Sequence, residues 1–293
     1  MSNAANEFIE LRQQRDFSAV ISTGFQFIRQ NWKPLYRPLF LICLPVYLVA
    51  SVFIGSFFRT MFTSARNGNV AGMMTGMGSM LIGYVLMGIS MLLLYTMVYE
   101  YMRFYMLNQG LAPTTGQLWK QAIRQLPSYF VILLLAGLFA SFGVILLFVG
   151  FIWLGIVFSM AMPLRAFDRA EIGDCVLRSF KVIKGRWWKT FWLVIALSGL
   201  IVIISYIIYL PFMLLTSFGA MSGLGEMKDP GAIGERMGWI MTLVMALIGV
   251  MTVLVQPFLH VPLAFQALSL IEEKEGRGLL ERVDEMIMAP TAS

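Results

Sequence analysis

The sequence predicts an all-α, polytopic membrane protein with six transmembrane helices in three repeats, each an interfacial amphipathic helix followed by a helix pair. Three observations predict it. Apolar residues gather into long runs free of charge, basic residues divide unevenly between alternate links, and the segment before the first run aligns without gaps on the segment before the fifth span. Of 293 residues, 58% are hydrophobic and 13% charged, against about 45–50% apolar and about 25% charged in soluble domains. A soluble fold of this size cannot shield that much apolar surface. An ordinary soluble enzyme, a disordered chain and a disulfide scaffold are therefore excluded.

The charge-free runs are Pro38–Phe58, Ser79–Val98, Ser128–Pro163, Thr190–Leu215 and Trp239–Leu270. About 20 helical residues cross a hydrocarbon core of about 30 Å. Ser128–Pro163 is too long for one crossing and fits two, with a tight turn near Gly143–Gly150. The spans are expected at about 38–58, 79–99, 128–146, 149–166, 190–215 and 239–263. They lie in a membrane domain over 38–271, between an N-terminal segment, 1–37, and a tail, 272–293.

Charge then orients the spans. The N-terminal segment carries Arg12, Arg15, Arg29, Lys33 and Arg37, and the link between spans 2 and 3 carries Arg103, Lys120 and Arg124. Arg165, Arg169, Arg178, Lys181, Lys184, Arg186 and Lys189 follow span 4, and the tail holds Lys274, Arg277 and Arg282. Only Arg59, Arg66, Lys228 and Arg236 fall to the other side, so 18 of 22 basic residues share one face. Cytoplasmic links are rich in Lys and Arg, so both termini are expected in the cytoplasm. The first apolar run begins too late for a cleavable signal peptide.

Each odd-numbered span follows an amphipathic stretch with apolar residues at helical spacing. These are Phe17, Val20, Ile21, Gly24, Phe25 and Ile28; then Trp119, Ala122, Ile123 and Leu126; then Ile172, Val176, Phe180, Ile183 and Trp187. The first and third align at an offset of 155, which sets Asp16 on Glu171, Phe25 on Phe180, Ile28 on Ile183 and Trp32 on Trp187. The second aligns more weakly, with Ile123 on Phe25. Asp168 with Glu171, and Thr114 with Gln117, have capping-box spacing. The apolar faces are expected in the headgroup boundary, with the basic faces toward anionic lipid. Arg29, Lys33, Lys120, Arg124, Arg178, Lys181, Lys184, Arg186, Trp187 and Trp188 are the candidate lipid or partner interface.

Three segments carry a resemblance: Phe25-Gln-Phe-Ile-Arg-Gln-Asn-Trp32, Pro163-Leu-Arg-Ala-Phe-Asp168 and Val176-Leu-Arg-Ser-Phe-Lys-Val-Ile-Lys-Gly-Arg-Trp-Trp188. With the tail from Phe265 to Leu280, they resemble the bacterial six-span group that includes the glycerophosphoryl diester phosphodiesterase membrane domain family and YciC-like proteins, in a Bacteroidetes version. The resemblance implies a fold and a location. It carries over no catalytic residue, because the phosphodiesterase activity of that family belongs to a separate soluble domain.

Little else points to chemistry. The interiors of the expected spans hold no charged residue, and Glu100 and Arg103, at the end of span 2, are expected to pair at the interface or snorkel. His260 is the only histidine, too few for a two-histidine metal site. Gln256-Pro-Phe-Leu-His-Val-Pro262 reads as a kinked end to span 6, where Gln256 and His260 either satisfy freed carbonyls or contact a polar substrate. Pro45 and Pro211 are further kink positions. Met74, Met77 and Met80, in the first outer loop, are soft ligands that would suit Cu(I), or simply a Gly/Met segment at the interface. Cys43 and Cys175 are expected to form neither a disulfide nor a metal site.

The expectation is therefore a non-enzymatic scaffold or assembly component, without a cofactor. It would contact anionic headgroups and membrane-protein partners but no nucleic acid. A channel, transporter or lipid-moving subunit is the alternative.

Overall fold

The computed structural model describes residues 8–145, 149–224 and 230–276. The described chain contains no strand, and six of its helical stretches are long and apolar enough to cross a membrane. The protein is an all-α polytopic membrane protein. Its helices are α1 (Phe17–Gln30), α2 (Trp32–Pro38), α3 (Leu44–Arg66), α4 (Val70–Leu107), α5 (Thr115–Ile145) and α6 (Val149–Ser159). They continue with α7 (Ala161–Asp168), α8 (Ile172–Ile183), α9 (Trp187–Leu224), α10 (Pro230–Val255) and α11 (Pro257–Glu275). A π-helical turn, Leu39–Cys43, joins α2 to α3 just ahead of Pro45, which lacks the N–H an α-helix would use there.

The candidate spans are Trp32–Ala65, Val70–Leu107, Thr115–Phe139, Gly150–Asp168, Trp187–Leu210 and Ala232–Glu275. Most outrun the charge-free runs. A helix need not stop where hydropathy falls, because its backbone hydrogen bonds continue through the polar headgroup layer. The turn expected near Gly143–Gly150 falls partly on residues 146–148, outside the described residues. So do residues 277–293 of the tail and Lys228.

The repeat is visible in the helix boundaries. Helices α1 and α8 begin at Phe17 and Ile172, and the next helices begin at Trp32 and Trp187, each pair 155 positions apart. Asp16 and Glu171 are the matching N-cap residues, and Asp16 accepts a hydrogen bond from the Ala19 N–H at 2.7 Å. The middle repeat departs from expectation. Its amphipathic stretch is no separate helix but the first turns of α5, which runs unbroken through Pro127. The first and third repeats instead break at Asn31 and at Lys184–Arg186, where Gly185 takes a φ of 82°.

Two loops were expected where the chain is helical. Met73–Met80 lies within α4, leaving only a short turn at 67–69, with Asn69 Oδ1 accepting from the Gly72 N–H at 3.1 Å. Met74, Met77 and Met80 thus lie on a helix, with Met74 and Met77 exposed. In the segment expected as an outer loop, Gly219–Gly238, α9 extends to Leu224 and α10 starts at Pro230, a residue suited to a first helical turn.

The chain forms two compact units. The first comprises Met1–Leu35, Tyr95–Ser198 and Pro257–Ser293; the second comprises Tyr36–Leu94 and Gly199–Gln256. Within the second unit, α3 packs along α10 through small residues. A Cβ on Gly238 would come within 2.9 Å of the Gly55 carbonyl oxygen, and one on Gly249 would collide with the Tyr47 ring. Close backbone approach through glycine is a recurrent way to pack helices in lipid, where apolar burial gives little drive.

Within the first unit, α1 packs on α11. Gly24 sits against Pro262, Phe25 meets Phe258, and Phe27 meets Phe265, Tyr101 and Tyr105 edge-on. On the opposite flank, Val176 and Phe180 of α8 join Ile132, Phe158 and Ala161. The apolar faces of α1 and α8 are therefore covered largely by protein, where lipid was expected. Nor is the Gln256–Pro262 segment an end to span 6. Gln256 is the joint between α10 and α11, and Val261–Ile271 beyond it is buried throughout.

Candidate functional site

The site-bearing elements all belong to the first unit. The chain after α7 turns through Arg169, which adopts φ 54°, a left-handed conformation uncommon outside glycine. Its N–H caps the helix on the Arg165 carbonyl at 3.2 Å. That turn returns the Arg169 guanidinium to α4, where Nη2 donates to Glu100 Oε2 at 2.5 Å. Glu100 is fully buried and its other oxygen accepts from the Tyr129 hydroxyl at 3.3 Å. Tyr129 stacks on Tyr99 at 6.4 Å, and the Tyr99 hydroxyl shares a hydrogen bond of 2.9 Å with His260 Nδ1. A polar string thus runs from Arg169 to His260.

This string corrects two expectations. Glu100 pairs with Arg169 rather than with Arg103. His260 bonds to a tyrosine instead of a carbonyl freed by proline, and its Nε2 is buried without a hydrogen-bond partner. Gln256, described within the second unit, likewise has a buried, unpartnered Oε1, and its N–H donates to the Thr252 carbonyl.

Above the Glu100 pair, Arg103, Gln121, Arg124, Gln125 and Arg169 line a cavity of about 310 Å³. Arg103 comes from α4, the next three from the first turns of α5, and Arg169 from the turn after α7. Thr114 and Gln117 form the expected capping box that starts α5: the Thr114 N–H donates to Gln117 Oε1 at 3.0 Å, and the Gln117 N–H to Thr114 Oγ1 at 3.3 Å. Arg165 braces the wall by donating to Gln125 Oε1 and Ser128 Oγ. Arg103 Nε, Arg169 Nη1 and Gln121 Oε1 are buried without partners.

The basic face predicted on α8 is used differently from expectation. Arg178 donates to Glu275 through Nε at 2.9 Å and Nη2 at 2.5 Å, and to Asp168 through Nη1 at 2.5 Å. Burial works against the Arg178 charge, but the bonds and charges of Glu275 and Asp168 outweigh it and hold the guanidinium above its ordinary pKa. Asp168 also pairs with Arg12, and it ends α7 rather than capping α8, whose N-cap position falls to Glu171. Arg186 pairs with Glu273, while the Lys274 ammonium donates to the Lys181 and Lys184 carbonyls. Arg29, Lys33, Lys120, Arg124, Lys181 and Lys184 are exposed at their side of the unit.

Trp187 and Trp188 line an apolar groove of about 440 Å³ with Ile152, Trp153 and Phe191. No group of three His, Cys, Asp or Glu side chains suited to a metal occurs among the described residues. Glu100, Glu273 and Glu275 lie 69 to 97 positions from their arginines, beyond the reach of any local pattern. Excess basic charge in the links was the one sequence signal that they existed.

Comparison with family models, curated proteins and solved structures finds no match for this chain.

Proposed function

We propose that the protein is a non-enzymatic scaffold of a bacterial inner membrane, with both termini cytoplasmic, that offers its first unit to anionic lipid headgroups and membrane-protein partners. One observation carries the reading: the ion pairs that link the N-terminal segment, α7, α8 and the end of α11 brace an element whose exposed residues remain basic. Arg12, Asp168, Arg178 and Glu275 form one network, and Arg29, Lys33, Lys120 and Lys181 lie outside it and face outward. Basic side chains near an anionic leaflet contribute about 1 kcal/mol each. The 18 of 22 basic residues in alternate links support the orientation. The resemblance to six-span bacterial proteins fits the same reading on its residues alone. Glu100, Tyr129, Tyr99 and His260 bond or stack with one another across α4, α5 and α11, which supports a role in holding helices.

The test is gentle extraction followed by identification of co-purifying lipid and protein. A reproducible protein partner or enrichment of anionic lipid is expected. A second reading, a transport or lipid-moving subunit, draws on the polar string itself. Solute flux or lipid scrambling by the purified protein in liposomes would favour it and displace the scaffold reading.

A further inference from the structure

We propose that the cavity lined by Arg103, Gln121, Arg124, Gln125 and Arg169 is a binding site for a phosphate group carried on a small hydroxyl- or amine-bearing head. Its lining carries three guanidinium groups, two carboxamides and no carboxylate. Glu100, the acid on the polar string, bonds Nη2 of Arg169 and acts electrostatically on Arg103, and its single charge leaves the three arginines with an excess of about two positive charges. A phosphate mono- or diester is the anion that matches this charge, and guanidinium forks match its oxygens in geometry as well.

The buried donors point the same way. Arg103 Nε and Arg169 Nη1 come from different elements, line the same cavity and have no partner. Buried N–H groups of charged side chains are rarely left unpaired in folded proteins. An oxyanion in the cavity lined by both residues would draw these N–H groups to it by rotation of the two side chains. Gln121 Oε1 is an acceptor without a donor, which a phosphate alone would not satisfy. A hydroxyl or ammonium attached to the phosphate would. The volume of about 310 Å³ is ample for a phosphate with such a substituent.

The cavity lies at the end of α4, in the early turns of α5 and just past α7, the ends that alternating crossings bring to one membrane face. A glycerophospholipid headgroup and a soluble phosphate ester share the chemistry required. The lipid source rests on the membrane-platform reading above; the soluble source does not.

The experiment uses the full chain, purified and delipidated in detergent. Retention of phosphatidylglycerol and of phosphatidylcholine is measured by native mass spectrometry, and thermal unfolding is followed with and without glycerol phosphate and inorganic phosphate. The wild type is expected to retain phosphatidylglycerol over phosphatidylcholine. Arg103→Gln with Arg124→Gln should lower retention by at least about tenfold, the loss of charge-assisted bonds. Lys120→Gln, exposed on the same helix, should not. If the double variant does not fold, Arg124→Gln alone, altered at an exposed side chain, is read in its place. Stabilisation by glycerol phosphate that the double variant loses, without lipid preference, assigns the site to a soluble ester and leaves the platform reading unsupported. Lipid preference without that stabilisation assigns it to a headgroup. Unchanged binding of every probe by the variants, or an equal loss in Lys120→Gln, overturns the site.

Discussion

Arg169 Nη2 lies 2.5 Å from Glu100 Oε2, and the carboxylate is fully buried while the guanidinium keeps a quarter of its surface exposed. The pair is lopsided, so its two halves differ in consequence. Arg169→Ala leaves a buried carboxylate with only Tyr129 and is expected to cost about 3–5 kcal/mol. Glu100→Gln keeps the shape and leaves the better-hydrated partner, and should cost clearly less. Unfolding titrations in mixed micelles compare the two. An equal cost for both would mean that the burial asymmetry has no energetic weight.

At the α1–α11 contact, a Cβ on Gly24 would stand 2.6 Å from Pro262 Cγ and 3.1 Å from its Cα. Proline cannot turn aside. Gly24→Ala is expected to destabilise by about 1–3 kcal/mol through overpacking, although alanine is the better helix former. Gly173→Ala in α8 meets nothing within 4 Å and should be neutral or gain up to about 1 kcal/mol. Thermal unfolding of the two variants should move in opposite senses.

Cys175 is buried in α8, and its thiol donates to the Ala170 carbonyl at 3.5 Å. Burial, chiefly, pushes its pKa above the ordinary thiol value. Thiolate is the reactive form, so maleimide should alkylate Cys175 slowly at neutral pH in the folded protein and quickly after denaturation. The same shift has a stability sign. The native state holds its proton more tightly, so the contribution is full below the ordinary thiol pKa and fades as pH rises past it. Cys175→Ser should flatten that alkaline decline.

Topology is testable by labelling from the two sides of the membrane. Gly68 and Gly185 are natural markers in the two loops, but both have left-handed φ, 59° and 82°, which a cysteine would strain. Asn67 and Lys184, adjacent and exposed, avoid this. Cysteines at 67 and 184 should react with an impermeant reagent from opposite faces, 67 from outside. Labelling from the same face would overturn the six-span arrangement.

Arg178 meets two carboxylates through three separate N–H groups. Lysine offers a point charge without the fork. Arg178→Lys should therefore loosen the end of α11, seen as faster proteolysis near Glu275, while Lys181→Arg on the exposed face leaves it unchanged.

Local pattern carried the coarse design. Charge-free runs located six spans, and the offset of 155 paired Trp32 with Trp187, which open matching helices in the structure although the spans were expected to start at 38 and 190. Two kinds of feature escaped it. Helix continuity did, because the amphipathic stretch before span 3 read as a helix of its own and the Gly/Met segment around Met74 as a loop, yet α5 and α4 run through them. Pairing did also. The sequence shows that Arg169, Arg178 and Glu275 exist, but only the fold shows which of them meet. The cavity rests on residues from three elements; the sequence reading held Arg124 as a candidate contact and Arg103 and Arg169 only as basic residues of the links.

The contact of Gly24 with Pro262 joins residues 238 positions apart. During synthesis, at about 5–20 residues per second, α1 emerges tens of seconds before its cover exists. Its face of Val20, Phe27 and Ile28 must wait on something in the interval, and the bilayer surface is the nearest apolar phase. An interfacial helix in the nascent chain thus becomes an interior helix in the finished one, and the last span to insert completes the seat of the first.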